Sequence, residues 1–126
     1  MTPAERWHAY IKDHNTDNLW DMLHPDAVFE SPVVHTPQRG REIVYKYLTS
    51  AGKVLGGETF RYVGEWHGPN SMILEFMNEI NGIKIDGIDM ITWDKDGLIT
   101  HFKVMVRPLK AVNMLHQMMG AQLAAA

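Results

Sequence analysis

Apolar residues recur at helical spacing in four stretches of the chain and at alternate positions in five, and the order of these periods predicts the fold. Thr2-Pro3-Ala4-Glu5 forms a capping box with Pro at the first helical position, the Thr hydroxyl and Glu carboxylate each satisfying an orphan backbone N–H. Trp7, Tyr10 and Ile11 come next at i, i+3, i+4 on one helix face. Thr16 reads as the cap of a second, short helix carrying Leu19, Trp20 and Leu23, ended by His24-Pro25-Asp26. A short strand from Ala27 to Ser31 is closed by Pro32. Val44, Leu48, Ala51 and Leu55 mark a third helix from about Arg41, stopped by Gly56-Gly57. The period then changes to 2. Four runs separated by Gly68-Pro69-Asn70, Asn81-Gly82 and Asp94-Lys95-Asp96-Gly97 predict an antiparallel meander, because Asn-Gly and Asp-Gly accept the positive φ of tight turns. Val112, Leu115, Met119 and Leu123 predict a last helix, with Gly120 as an early break. Helices first and a meander after make a single α+β domain over residues 1–126.

Alternate side chains of a strand face opposite sides of the sheet, so each run divides into an inner and an outer set. The inner sets are Phe60, Tyr62, Gly64 and Trp66; Met72, Leu74, Phe76, Asn78 and Ile80; Ile83, Ile85, Gly87, Asp89, Ile91 and Trp93; and Leu98, Thr100, Phe102, Val104 and Val106. Asn78 and Asp89 stand out as polar groups in apolar registers. An ionised carboxylate there loses several kcal/mol of solvation unless it is paired, neutralised or facing a wet cavity. One reading makes Gly87 a bulge and Asp89 a turn cap or the partner of a buried Arg. The other makes Asp89 a pocket carboxylate, its pKa raised by desolvation, able to act as acid or base near neutrality. Asn78, Tyr62 and Trp66 share its face and are either core packing or ligand contacts, and His35, in the loop after strand 1, is either a solvated loop residue or the catalytic partner of Asp89. The outer sets hold Ile73, Met77, Ile88, Met90, Ile99 and Met105, too apolar for a solvated face, which predicts a homodimer through the outer side of the sheet.

Composition narrows the chemistry. With 12 Lys+Arg against 15 Asp+Glu, a net charge of −3, the chain lacks the basic excess of nucleic-acid binders. The absence of Cys excludes disulfides, thiolate metal sites and a cysteine nucleophile. The 7 histidines form no H-x-H or H-x-x-x-H pair, so no metal is expected. No Walker, G-x-S-x-G or dinucleotide fingerprint is present, and no cofactor is expected. The N-terminus lacks the pattern of a secretory signal and no segment approaches the ~18 apolar residues of a membrane span, which predicts a soluble cytoplasmic protein without a membrane partner.

Asp26-Ala27-Val28-Phe29-Glu30-Ser31-Pro32, Gly40-Arg41-Glu42-Ile43, the run from Gly87 to Ile99 and the closing Arg107-Pro108 resemble the nuclear transport factor 2-like superfamily. Within it they resemble the SnoaL-like group that includes polyketide cyclases and ketosteroid isomerase. The resemblance implies a cystatin-like cone, a curved antiparallel sheet wrapped around N-terminal helices. It also implies that Asp89 falls where the isomerase keeps its protonated oxyanion-hole Asp and where the cyclases place an acid/base Asp. Ser31 stands where the isomerase carries its proton-abstracting Asp, and Trp7 where it carries an oxyanion Tyr. Relatives resembling limonene epoxide hydrolase need an inward Arg, whereas Arg61 and Arg107 have outward parity. The expected function is thus a cofactor-free isomerase, cyclase or hydratase-like acid–base enzyme acting on a small apolar oxygenated molecule. Asp89 and His35 are its expected catalytic groups, and Asn78, Tyr62, Trp66, Trp7 and Phe102 its substrate contacts. The alternative is a non-catalytic small-molecule binder or dimeric scaffold in which Asp89 anchors a polar group.

Overall fold

A computed structural model describes residues 1–125. Helix α1 spans Pro3–Asp13 and opens with the expected capping box, the Thr2 hydroxyl accepting from the Glu5 N–H and the Glu5 carboxylate accepting from the Thr2 N–H. Helix α2, Thr16–Met22, is capped by Asn15 rather than Thr16, because the Asn15 carbonyl oxygen reaches two orphan N–H groups, those of Asp17 and Asn18. His24-Pro25-Asp26 does not end a helix in a loop. It lies inside strand β1, Leu23–Glu30, which begins directly where α2 stops. A two-residue strand β2, Gln38–Arg39, precedes helix α3, Arg41–Leu55. The meander comes next as β3, Arg61–Gly68, β4, Ser71–Ile80, β5, Ile83–Trp93, and β6, Ile99–Arg107. Helix α4, Leu109–Ala125, runs through Gly120 without a break.

The sheet has the order β2-β1-β6-β5-β4-β3 and is mixed, since β1 runs parallel to β6 while the other pairs are antiparallel. It does not close on itself. α1, α2 and α3 fill its concave side, where Trp7, Leu19, Val44 and Leu48 pack against Phe29, Leu74, Ile91 and Phe102. α4 packs against α3 and brings Ala111 and Leu115 onto Phe76 and Ile85. This arrangement is an α+β cone.

Two bulges move residues off the alternation expected from the sequence. Between Tyr62 and Gly64 the register of β3 slips by one, so Tyr62 opposes Phe76 but Glu65 opposes Leu74 and Trp66 opposes Ile73. Trp66 therefore turns outward and is 57% exposed, its indole lying over Gly64, where a Cβ would meet the ring at 2.6 Å. Between Thr92 and Trp93 a second slip leaves Thr100 extra in β6 and turns Ile99 inward, so Ile99 belongs to the core and not to the outer face.

Gly87 is not a bulge. Its register is regular, Phe76 opposite on one side and Val106 on the other. What requires glycine is the Phe76 ring: a Cβ at Gly87 would meet Phe76 Cε2 at 2.8 Å and the Met105 carbonyl oxygen at 2.9 Å. Since a backbone atom is one of the obstacles, Gly87→Ala is expected to cost about 1–3 kcal/mol by overpacking, read in denaturant unfolding. A neutral result would mean that β5 and β6 separate easily there.

Candidate functional site

The cone encloses a cavity of about 330 Å³, within the size range of small-molecule sites. One face of α1 supplies Trp7, Tyr10, Ile11 and His14 to its wall, at the i, i+3, i+4, i+7 spacing that stacks side chains along one helix side. α3 and α4 supply aliphatic side chains and glycines together with Tyr47 and His116, and the sheet supplies Phe29, Tyr62, Phe76, Asp89 and Phe102. Among the described residues Asp89 is the only acidic one in the wall, and no Lys or Arg lines it.

The polar centre is a chain of three side chains. Trp7 Nε1 donates to the Tyr62 hydroxyl at 3.0 Å, and that hydroxyl donates to Asp89 Oδ2 at 2.7 Å. Each comes from a different element, α1, β3 and β5, so the fold must be assembled before they meet. Asp89 is 7% exposed between Leu74 and Val104. Burial pushes its carboxyl up to about 7, only partly opposed by the Tyr62 hydrogen bond. Burial likewise raises the Tyr62 hydroxyl well above its ordinary range, and the Asp89 charge and hydrogen bond add to the rise. The second Asp89 oxygen meets no protein donor, and among the described residues no fully buried side-chain polar atom lacks a partner, so that oxygen opens on the cavity. The Tyr10 hydroxyl, also without a protein partner, lies in the same wall, where burial raises its pKa.

Of the residues expected from the sequence, Asp89, Tyr62, Trp7 and Phe102 come together here. Three do not. His35 lies exposed outside the wall, because the Ser31 hydroxyl accepts from the N–H groups of Val33 and Val34, both at 3.0 Å, and this turn aims the two valines at the cavity instead. Asn78 is buried but serves the scaffold: its amide donates to the Leu55 carbonyl at 2.6 Å, its carbonyl oxygen accepts from the Thr59 hydroxyl, and it does not line the cavity. Trp66 is displaced by the β3 bulge. That bulge has a counterpart on the other side, since it turns Glu65 toward α1, where it takes His8 Nε2 at 2.7 Å and His67. The histidine hydrogen bonds, His67 first, hold the Glu65 carboxyl below its usual range.

Sequence reasoning missed Tyr10, His14, Tyr47 and His116 as wall residues. For Tyr10 and His14 the signal was present in their helical spacing from Trp7. His116 is adjacent to the core residue Leu115 on the same helix, and nothing in the pattern marks it. Among the described residues no cluster of His, Cys, Asp and Glu has the arrangement of a metal site, and no helix is long and apolar enough to cross a membrane.

The model of the SnoaL-like domain family matches residues 4–102. Among solved structures, a steroid delta-isomerase from Pseudomonas aeruginosa superposes with a TM-score of 0.92 at 37% identity, over 98% of this chain and 90% of that one. A protein conserved in bacteria with a cystatin-like fold, from Silicibacter pomeroyi, superposes with a TM-score of 0.86 at 28% identity, over 95% and 84% of the two chains. A candidate polyketide cyclase from Sinorhizobium meliloti, at 16% identity and a TM-score of 0.65 over 82% and 93%, shares the fold. The search of curated proteins finds no match.

Proposed function

The chain belongs to the SnoaL-like domain family, and from that premise we propose that it is a cofactor-free enzyme that moves a proton on a small, largely apolar substrate bearing a carbonyl group. The observation that carries this reading is Asp89, a carboxyl held near neutrality by burial with one oxygen turned to an apolar cavity. Its ionised form takes a proton from a carbon next to the substrate carbonyl, and the electron pair of that C–H bond moves onto the carbonyl oxygen as an enolate. The protonated carboxyl then returns the proton to the same or a conjugated carbon, so atoms and charge balance over the cycle. Tyr62 and Trp7 fix the carboxyl, and the free Tyr10 hydroxyl is the donor available to the enolate oxygen.

The test tracks proton transfer itself. Incubated in D2O with a β,γ-unsaturated 3-oxosteroid, suggested by the name of the Pseudomonas relative, and with simple cyclic ketones, the protein should incorporate solvent deuterium through exchange at its protonated carboxyl, at the conjugated carbon of the steroid and beside the carbonyl of the simple ketones. Asp89→Asn should slow this by about 10²–10⁴-fold. Equal rates for the two proteins, with ligand binding intact, would favour the second reading, a non-catalytic binder in which Asp89 anchors a polar group. One observation speaks for that reading: His35, the expected acid–base partner, is outside the cavity.

A homodimer through the outer sheet face belongs to the same proposal. Ile73, Met77, Ile88 and Met90 are half-buried there, Met105 is 45% exposed, and the bulge adds Trp66. Met105→Glu is expected to shift the protein toward monomer in sedimentation velocity, and an unchanged sedimentation coefficient with the fold intact would place any interface elsewhere.

A further inference from the structure

Six residues of the cavity wall are exposed to solvent and so outline its mouth: His14, Val34, Gly56, Gly57, His116 and Gly120. Only the two histidines have polar side chains. They come from different elements, His14 from the C-cap of α1 and His116 from α4. Four of the seven histidines, His8, His24, His67 and His101, lie against carboxylates. Among the described residues no carboxylate lies against His14 or His116, nor against His35 in its exposed loop. The two at the mouth are thus free to meet an anion from outside the protein. The His14 ring is steadied edge-on by Tyr10, their centroids 6.2 Å apart. Along α1, His14 stands about 10 Å beyond Trp7 at 1.5 Å per residue, two turns from the end of the Trp7–Tyr62–Asp89 chain.

We propose that the ligand is an elongated amphiphile whose oxygen-bearing end meets Asp89 and whose far end carries a carboxylate received by His14 and His116. This rests on the cavity being the ligand site, as the proposed function holds, and extends it to the class of molecule. A neutral apolar molecule would need no imidazole at the opening, and among the described residues a cationic one would find no acidic side chain in the wall there, Asp13 and Glu58 lying outside the lining. Such a ligand enters with its apolar end first, keeps its charge at the solvent boundary, and avoids burying a second anion near Asp89. His14 and His116 are then residues that determine specificity and take no part in proton transfer.

The test compares two dyes sharing one ring system, the anionic 1-anilinonaphthalene-8-sulfonate and the neutral N-phenyl-1-naphthylamine, by fluorescence titration at about pH 5.5. Relative to the unmodified protein, the double variant His14→Gln, His116→Gln should lose about tenfold in affinity for the sulfonate and keep its affinity for the neutral dye. Each single variant should show part of the loss. A ratio of the two affinities unchanged in the double variant overturns the inference. Ala51→Phe, which fills the cavity from α3, separates the two levels. If it weakens both dyes while the histidine variants change nothing, only the anion inference falls. If it weakens neither, the dyes bind elsewhere and the cavity reading falls with it.

Discussion

Between acid and neutral pH, Asp89→Asn is expected to become progressively more stable relative to the unmodified protein. The Asp89 carboxyl titrates at about 7 in the folded chain against 3.8 for an ordinary Asp. The folded state therefore binds this proton more tightly than the unfolded state. The stability that the protonated carboxyl contributes is fully present below the unfolded pKa, is lost as pH rises through the window from 3.8 to about 7, and stays lost above it. A shift of this size corresponds to roughly 4 kcal/mol. Asn keeps an acceptor for the Tyr62 hydroxyl but cannot ionise, so the variant lacks this dependence. Paired denaturant unfolding at intervals from pH 3 to pH 8 should show a stability difference that is small in acid, climbs across the window and flattens near pH 8. A variant that is much weaker at pH 8 would mean instead that Asp89 is an ionised member of a structural network. The rate of proton transfer should depend on a single group near pH 7, because the same carboxyl must ionise to act as a base.

Phe102→Ala is expected to cost about 3–5 kcal/mol, the range for removing a buried aromatic ring. Phe102 is 2% exposed and lies on β6 where β1 and β5 flank it, opposite Phe29 and Ile91. Its ring centroid is 5.0 Å from that of Trp7 and 6.1 Å from that of Phe29. Removing it deprives the α1–sheet contact of its central filler and loosens the indole that orients Tyr62. Glu75→Ala is the matching control. Glu75 sits on the outer face, where its hydrogen bond with the Asp86 carboxyl raises its pKa, so its removal relieves a crowded acid pair and should leave stability nearly unchanged. Urea unfolding of the two variants measures both. Equal losses would mean that the inner and outer faces of the meander had been exchanged.

The parts of this molecule that obey local rules were legible in the chain. The Thr2–Glu5 box, the helix of α3 and the turns at Asn81-Gly82 and Asp94–Gly97 depend on residues a few positions apart, and period and turn chemistry suffice for them. Asp89 was legible because it is an acid in an unbroken apolar register, and no bulge intervenes in β5 between Gly87 and Thr92. Parity failed where one residue was inserted. Val63 and Thr100 look no different from their neighbours, yet each inverts the alternation on one side of itself in its strand, so Trp66 and Ile99 were assigned to the wrong sides. Asn78 and His35 failed for another reason. Asn78 faces inward as its parity requires, but its partners, Leu55 and Thr59, approach from the end of α3 and the chain after it, a tertiary fact no strand pattern contains. His35 depended on how the loop turns at Ser31, which a single hydroxyl decides.

Gly87 touches no ligand space, yet it determines how much there is. The Phe76 ring, part of the cavity wall, settles into the place where residue 87 would otherwise carry a side chain, and the wall is recessed there by that amount. The depth of the cavity is thus encoded by a missing group on a residue outside its lining. Relatives with an identical set of wall residues can then accept ligands of different bulk according to what stands at this one strand position. An engineer seeking a narrower site has a control that leaves Asp89, Tyr62 and Trp7 untouched.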